Sequence, residues 1–343
     1  MTRSSTAEVE PALAAAATLL ARQFGERLGR DVPLAPMTTY RVGGPAALFV
    51  DVRTLDDLIS IARVRAATHV PTLVVGRGSN MLVSDDGFPG IAITIANLAD
   101  QIEMPCPDGS IVVGELGDEV HVVAGGGVAL PVLARRTAAA GITGFEWAVG
   151  VPGSIGGAVR MNAGGHGSDM AACLLDVTAF DLDRTSAPEV IPADVLGLRF
   201  RASSLGPSLI VIQARLRLAV GDRDRSEAEI SRIVHWRREH QPGGQNCGSV
   251  FVNPVPGEVT AGGLIDGLGL RGFRIGSAWV SDKHANFVQA GEGGSAGDVR
   301  AVMEAVRSRV AESTGYQLRS EVRLVGFDDA DPMSFDEAGG EAP

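Results

Sequence analysis

Gly150-Val151-Pro152-Gly153-Ser154-Ile155-Gly156-Gly157-Ala158-Val159-Arg160-Met161-Asn162-Ala163-Gly164-Gly165 is the stretch from which the rest of the chain can be read. Glycine this dense, interrupted by Pro152, Ser154 and Asn162, predicts neither a helix nor an ordinary strand. Without a Cβ, glycine takes positive φ freely and lets backbone amides approach a ligand closely. A solvated linker would lack the apolar anchors Ile155, Val159 and Met161. The pattern therefore predicts a cradle for something large, flat and phosphate-bearing, which means a nucleotide cofactor.

Two more glycine loops support that expectation. Thr72-Leu73-Val74-Val75 reads as a buried strand running into Gly76-Arg77-Gly78-Ser79-Asn80-Met81-Leu82-Val83, at the carboxyl end of the strand, where phosphate sites tend to lie. This loop lacks the third glycine of a Rossmann fingerprint and the Gly-Lys-Ser/Thr end of a P-loop. Ala124-Gly125-Gly126-Gly127 is the other. Three separate cradles suit FAD, whose diphosphate and isoalloxazine lie far apart and need different backbone platforms. Turn glycines alone would account for any one of them.

The bulk properties narrow the partners. A chain of 343 residues with 45% hydrophobic and 21% charged residues can bury a substantial core in two or three domains. A formal net charge of −11 argues against a nucleic-acid partner. Three cysteines, Cys106, Cys173 and Cys247, are too few and too scattered for a disulfide framework or a metal centre, so no metal is expected and a reducing compartment is. No apolar run is long enough for a membrane span, and the amino terminus lacks a signal-peptide pattern. A soluble, cytoplasmic protein is the expectation.

Taken in order, the chain predicts an amino-terminal extension over 1–19, with residues 1–7 disordered and an amphipathic helix from 9 to 28. A bend follows at 36–46, then a strand at 47–52 and a helix at 55–67 capped by Thr54. Strands are predicted at 91–95, 110–113, 120–124, 177–181, 198–201 and 209–218, with Asp108-Gly109 as a hairpin turn. Helices are expected at 130–140, 227–239, 262–268 and 296–313, and further strands at 249–252 and 321–325. The domain reading is a first cofactor subdomain at 20–85, a second at 86–220, a third domain at 221–327 and an acidic, disordered tail at 328–343.

These motifs, in this order, resemble the UDP-N-acetylenolpyruvoylglucosamine reductase (MurB) family of flavoenzymes. The resemblance runs from about Thr38 to Gly326. It rests on Thr39-Tyr40-Arg41-Val42-Gly43-Gly44-Pro45-Ala46, on the Gly76 and Gly153 loops, and on Met161-Asn162-Ala163-Gly164. It extends through Cys247-Gly248-Ser249-Val250-Phe251-Val252-Asn253-Pro254, Ala261-Gly262-Gly263-Leu264-Ile265-Asp266, Ser281-Asp282-Lys283-His284-Ala285-Asn286-Phe287 and Ser320-Glu321-Val322-Arg323. The amino-terminal motifs are shared with other flavin oxidoreductases; the carboxyl-terminal ones are narrower.

The resemblance implies an α+β / α/β fold: a bipartite FAD-binding domain of the PCMH/vanillyl-alcohol-oxidase-like type plus a smaller α/β substrate-binding domain. It implies an enzyme that takes NADPH as co-substrate and reduces a UDP-sugar enolpyruvyl ether; a monomer is the expectation. The FAD contacts carried over are Tyr40, Arg41, Gly76, Arg77, Gly78, Ser79, Asn80, Met81, Gly126, Gly150, Pro152, Gly153, Ser154, Ile155, Gly156, Gly157, Asn162, Ala163 and Gly164. Ser249 resembles the family's proton donor, and Arg201 and Glu321 the pair around the substrate carboxylate. Asn253, Lys283 and His284 are the expected diphosphate or ribose contacts.

Two departures stand out. Phe200 takes the place of the family's usual tyrosine before Arg201, removing a hydroxyl. The connection 203–209 is short, as in the subtype without a long substrate-covering loop. The competing readings are an oxidase or dehydrogenase built on the same FAD architecture, and a non-catalytic flavin carrier, for which Ser249 would be a mere turn residue.

Overall fold

The computed structural model describes residues 6–105, 110–184 and 187–327, with side chains from residue 10 onward. The chain divides into two compact units. Of the described residues, one comprises those in 6–30, 48–77 and 90–237, and the other those in 31–47, 78–89 and 238–327. The boundaries read from the sequence at 85 and 220 do not coincide with these divisions. The reason is non-local pairing: Met81–Val83 forms a parallel pair with Arg323–Val325, which draws the segment after Gly78 to the carboxyl-terminal part.

Among the described residues, the first unit carries the α-helices α1 (Thr6–Phe24), α2 (Leu55–Thr68), α3 (Leu130–Ala139), α4 (Ile155–Arg160) and most of α5 (Arg223–His240). Its smaller sheet has the order Leu28–Pro33, Pro45–Asp51, Phe88–Thr94, Thr72–Val74, the last two strands parallel. Alternation along Pro45–Asp51 buries Ala46, Leu48 and Val50, and Leu48 and Val50 pack with Leu20 and Phe24 of α1 and Leu58 and Ile61 of α2. Helix α2 starts at the predicted cap, where Thr54 and Asp57 form a reciprocal capping box.

The larger sheet is antiparallel, in the order Glu189–Pro192, Leu174–Asp181, Leu209–Val220, Glu119–Gly125, Ile102–Glu103. Its core joins Val122, Ala124, Leu216 and Val177 to Leu133 and Ala134 of α3 and to Ile155, Ala158 and Val159 of α4.

The second unit holds α6 (Ala261–Gly267) and α7 (Ala296–Thr314), with a three-stranded sheet of Arg274–Ile275, Ala278–Val280 and Val288–Ala290. Val299, Val302, Met303, Val306 and Val310 recur at helical spacing along α7 and are all buried. Its amino end is fixed by Asp85, which accepts hydrogen bonds from Ser295 Oγ (2.6 Å) and the amides of Ala296 (2.8 Å) and Gly297 (2.9 Å). Gly315, with φ +78°, closes the other end.

Several expectations are corrected. The glycine stretch 150–165 contains a helix after all, α4, because Ile155, Ala158 and Val159 lie on one buried face. Residues 198–201 form no strand; they lie in a tight turn closed by a bridge between Arg199 and Ala202, with Arg201 at φ +56°, incompatible with an extended chain. No strand forms at 110–113, and at 249–252 a single bridge, Phe251 to Ser320, replaces the expected strand. The first helix begins at Thr6 and ends at Phe24, and Leu28 opens a strand. The Asp108-Gly109 turn, Cys106 and the acidic tail 328–343 lie outside the described residues, as do residues 1–5 of the amino-terminal extension.

Candidate functional site

In the first unit the glycine loops meet one another. A Cβ on Gly76 would lie 2.7 Å from Ser154 Oγ, and one on Gly157 would lie 3.4 Å from the same oxygen. Gly126 has no room for any side chain, since its Cβ would fall 2.0 Å from the Val211 carbonyl oxygen. The Gly156 amide donates to the Gly126 carbonyl at 2.8 Å, tying the second loop to the start of α4. These glycines thus serve backbone-to-backbone packing of the chain itself, a role that glycine-counting could not separate from ligand approach.

The amides divide accordingly. Those of Gly126 (to Ile212 O, 2.7 Å), Ile155 (to Val128 O, 2.9 Å), Gly156, Asn162 (to Val159 O, 3.2 Å) and Ala163 (to Ala158 O, 2.8 Å) are engaged by carbonyls of the chain. Those of Gly76, Arg77, Gly153, Ser154 and Gly157 have no acceptor among the described residues. The buried Trp147 Nε1, three residues before Gly150, also lacks one. Such unengaged donors, on loops that converge on Ser154, fit an acceptor-rich ligand, and the chemistry of FAD meets that requirement. Pro152 is exposed at the tip of the same loop.

Asn162 is a framework residue. Its Oδ1 accepts from the Ala171 amide (2.9 Å), and its Nδ2 donates to Asp169 (3.1 Å) and to the Arg199 carbonyl (3.3 Å). It thereby holds the turn that presents Arg201. Arg201 Nη1 donates to the Gly164 carbonyl at 3.1 Å, so the structure brings this arginine to the end of the central glycine stretch. The guanidinium lies over the Phe200 ring at 5.1 Å from the centroid, a cation–π contact in the place where the family's tyrosine would stand.

In the second unit, Tyr40 is wholly buried, and burial raises its pKa far above the ordinary value, with Cys247 adding to the shift. Its hydroxyl approaches Cys247 without meeting hydrogen-bond geometry, and has no partner among the described residues. Burial pushes the Cys247 thiol up to about 12; Tyr40 opposes that shift and the charge of Glu321 adds to it. Cys247 is therefore an inert packing residue, as its position in the core implies.

Arg41 takes φ +53° and its amide donates to Thr38 Oγ1 at 3.1 Å. Gly78, at φ +56°, sits where a Cβ would lie 2.3 Å from the Met37 carbonyl oxygen, so the loop 78–81 closes on the bend at 36–46. Ser79 and Met81 follow it, half-buried.

Ser249 and Glu321 are neighbours across a short antiparallel crossing. Phe251 bridges Ser320, the Glu321 amide donates to the Val250 carbonyl at 2.8 Å, and the Val252 amide donates to the Arg319 carbonyl at 2.9 Å. Asn286 holds this segment from the other side. Its Oδ1 accepts from the Phe251 amide (3.0 Å), its Nδ2 donates to the Phe251 carbonyl (2.8 Å) and its own carbonyl accepts from the Val250 amide (2.9 Å). In the sequence Asn286 is one member of the motif 281–287, and nothing in one sequence distinguishes a clamp of this kind from a turn asparagine. The Ser249 hydroxyl has no partner among the described residues.

The three remaining candidates all have duties within the chain. Asn253 Oδ1 accepts from the first amide of α6 (Ala261, 3.0 Å), leaving its Nδ2 without an acceptor among the described residues. Lys283 Nζ donates to the Arg238 carbonyl. His284 Nδ1 accepts from the Asn286 amide at 3.2 Å, so the neutral ring carries its proton on Nε2. Burial, reinforced by Arg271, holds the His284 pKa below its usual value. No cluster of side chains suited to a metal ion occurs among the described residues, and no helix among them is long and apolar enough to cross a membrane.

Comparison with known proteins agrees with this picture. The family model "FAD binding domain" matches residues 46–184, and "UDP-N-acetylenolpyruvoylglucosamine reductase, C-terminal domain" matches residues 240–325. The UDP-N-acetylenolpyruvoylglucosamine reductase of Heliobacterium modesticaldum is 37% identical over 311 residues, 90% of this chain and 94% of the relative. That of Rubrobacter xylanophilus is 37% identical over 298 residues, 86% and 94% of the two chains. Among solved structures, the Thermus caldophilus UDP-N-acetylenolpyruvylglucosamine reductase (MurB) superposes with a TM-score of 0.69 at 32% identity, covering 87% of this chain and 99% of that one. With the two family models in sequence order and relatives matched along nearly their full length, the chain belongs to the UDP-N-acetylenolpyruvoylglucosamine reductase (MurB) family.

Proposed function

We propose that this protein is the NADPH-dependent flavin reductase that converts UDP-N-acetylglucosamine enolpyruvate into UDP-N-acetylmuramate, with Ser249, Arg201 and Glu321 as its working side chains. When bound, FAD supplies the hydride and takes it in turn from NADPH. The unengaged amides around Ser154 and Gly76, with Arg77, would hold it, and Tyr40, Arg41 and the loop 78–81 would complete its binding site.

The chemistry asks three things of the chain. Hydride arrives at the vinyl carbon distal to the carboxylate, the π electrons move to the adjacent carbon, and an enolate forms. Arg201 stabilises the charge that grows on the substrate carboxylate, which a permanently charged, planar guanidinium does better than an ammonium. The Ser249 Oγ–H bond then breaks, its proton passing to the enolate carbon on a defined face. A serine hydroxyl is a very weak acid in water, but an enolate carbon is basic enough to take its proton once water is excluded. Glu321, one residue out of register across the crossing, orients the donor, and the serine alkoxide regains its proton from solvent as the product leaves.

Lys283, His284 through Nε2 and Asn253 through Nδ2 serve the diphosphate and ribose of the substrate. The reading puts the protein in the cytoplasm as a monomer, in peptidoglycan precursor synthesis, with cell-wall biogenesis, cell shape and cell division downstream. A net charge of −11 is in keeping with a partner that is neither nucleic acid nor membrane surface.

The observation that carries the assignment of the proton donor is the Ser249 hydroxyl, left without a partner on a segment otherwise clamped by Asn286 and the Glu321 crossing. The test is an anaerobic assay of the two half-reactions. NADPH should bleach the protein-bound flavin, and the enolpyruvyl sugar nucleotide should restore its colour without oxygen. An oxidase would need oxygen for that second step, and a carrier would show neither.

A further inference from the structure

Near its carboxyl end helix α5 carries a side chain that has no counter-charge among the described residues. Arg237 is half-buried, and burial lowers its pKa from the ordinary arginine value. Its guanidinium has no ion pair or hydrogen bond among the described residues. The carboxylate of its own helix that acts on this neighbourhood, Glu229, is already bound by Arg232 at 2.5 Å. The helix is anchored at its other end, where Ser226 Oγ donates to Glu146 at 2.6 Å, so Arg237 is presented by a fixed element.

What Arg237 faces is the start of the central glycine stretch. A Cβ on Gly150 would lie 3.2 Å from Arg237 Cδ and 3.2 Å from His166 Nε2. Gly150 is buried, and its missing side chain is what lets the arginine stem and the imidazole close on the turn. Burial, then Arg237 and Arg232, lower the His166 pKa, and its ring packs edge-on against Trp236 at 5.2 Å. A cation withdrawn from water with no counter-ion is costly unless a ligand completes it.

We propose that Arg237 is a cofactor-binding residue whose guanidinium meets an electron-rich acceptor of bound FAD at the Gly150 turn. This rests on the flavoenzyme reading above. The acceptor chemistry is shared by two parts of the molecule, the diphosphate and the carbonyl edge of the pyrimidine ring, which gains negative charge on reduction.

The experiment compares wild type with Arg237→Met and Arg237→Gln. Apoprotein of each is melted and then titrated with FAD by fluorescence quenching, and the reduction potential of the bound flavin is measured by dye equilibration. The Met variant keeps the stem and removes a desolvated charge, so its apoprotein should melt at or above the wild-type temperature. Both variants should bind FAD about 10- to 100-fold more weakly, the range for a charged hydrogen bond. If the diphosphate is the acceptor, the potential stays unchanged; if the pyrimidine edge is, the potential falls, because the reduced anionic ring loses its cation. Wild-type affinity together with wild-type potential in both variants overturns the proposal, as does an apoprotein of Arg237→Met that is less stable while its affinity is unchanged. A wild-type protein that binds no FAD would instead sink the flavoenzyme reading itself, so the two failures are distinguishable.

Discussion

Asn80 donates from Nδ2 to the carbonyl oxygen of Glu321 at 2.9 Å, and its own carbonyl accepts from the Arg323 amide at 3.0 Å. A residue of the first glycine loop is thus bonded on both sides of the chain to the segment that carries a proposed catalytic carboxylate. Met81–Val83 and Arg323–Val325 continue the pairing. Replacing Asn80 with alanine should cost about 1–3 kcal/mol, the range for leaving a partly buried acceptor unpaired. Chemical denaturation of the purified variant measures it, and unchanged stability would show that the bond is of no consequence.

Ser249→Ala should leave flavin content and bleaching by NADPH intact and lower substrate reduction by about 10²–10⁴-fold, the usual span for a positioned proton donor. Single-turnover reoxidation of the reduced flavin by substrate reads this step alone. Equal rates in variant and wild type would remove Ser249 from the mechanism.

Gly126→Ala and Gly165→Ala form a matched pair. At 126 the new methyl would meet the Val211 backbone at 2.0 Å, whereas at 165 it would enter open space. The first should destabilise by about 3 kcal/mol or more and the second by about 0.5 kcal/mol or less. Thermal melts of the two variants check the contrast, and similar losses would contradict the packing described.

The His284 pKa lies below its unfolded value. The folded state therefore binds that proton less readily than the unfolded chain. Its stabilising contribution is complete above the unfolded pKa of about 6.5 and declines as pH falls through the folded one. His284→Gln should flatten the fall in stability between pH 7 and pH 5, which urea melts at the two pH values would show. A steeper fall in the variant would reverse the sign argued here.

Cys173 and Cys247 both have thiols pushed up to about 12, chiefly by burial. In a Cys106→Ser background, neither should react with a disulfide reagent at pH 8 until denaturant is added. Rapid labelling of the native protein would mean that the packing around them opens readily.

Much of this was legible in one dimension. The motifs around Gly76, Gly153, Ser249 and Glu321 carry the family, since each places glycine or a particular side chain where few substitutes work. Helices such as α2 and α7 announce themselves by apolar spacing and a cap residue at the start. Helix α4 did not, because glycine content outweighed its short apolar face of Ile155, Ala158 and Val159.

Chain order alone determined the family, the class of cofactor and the positions of the chemistry-bearing side chains. Only tertiary structure decided which glycine amides are engaged by the chain's own carbonyls, that Arg201 stands on a left-handed turn held by Asn162, and that Arg237 lacks a counter-charge. Most of those are properties of contacts between residues tens of positions apart, and a local pattern of residue types holds no information about which distant carbonyl or carboxylate will arrive.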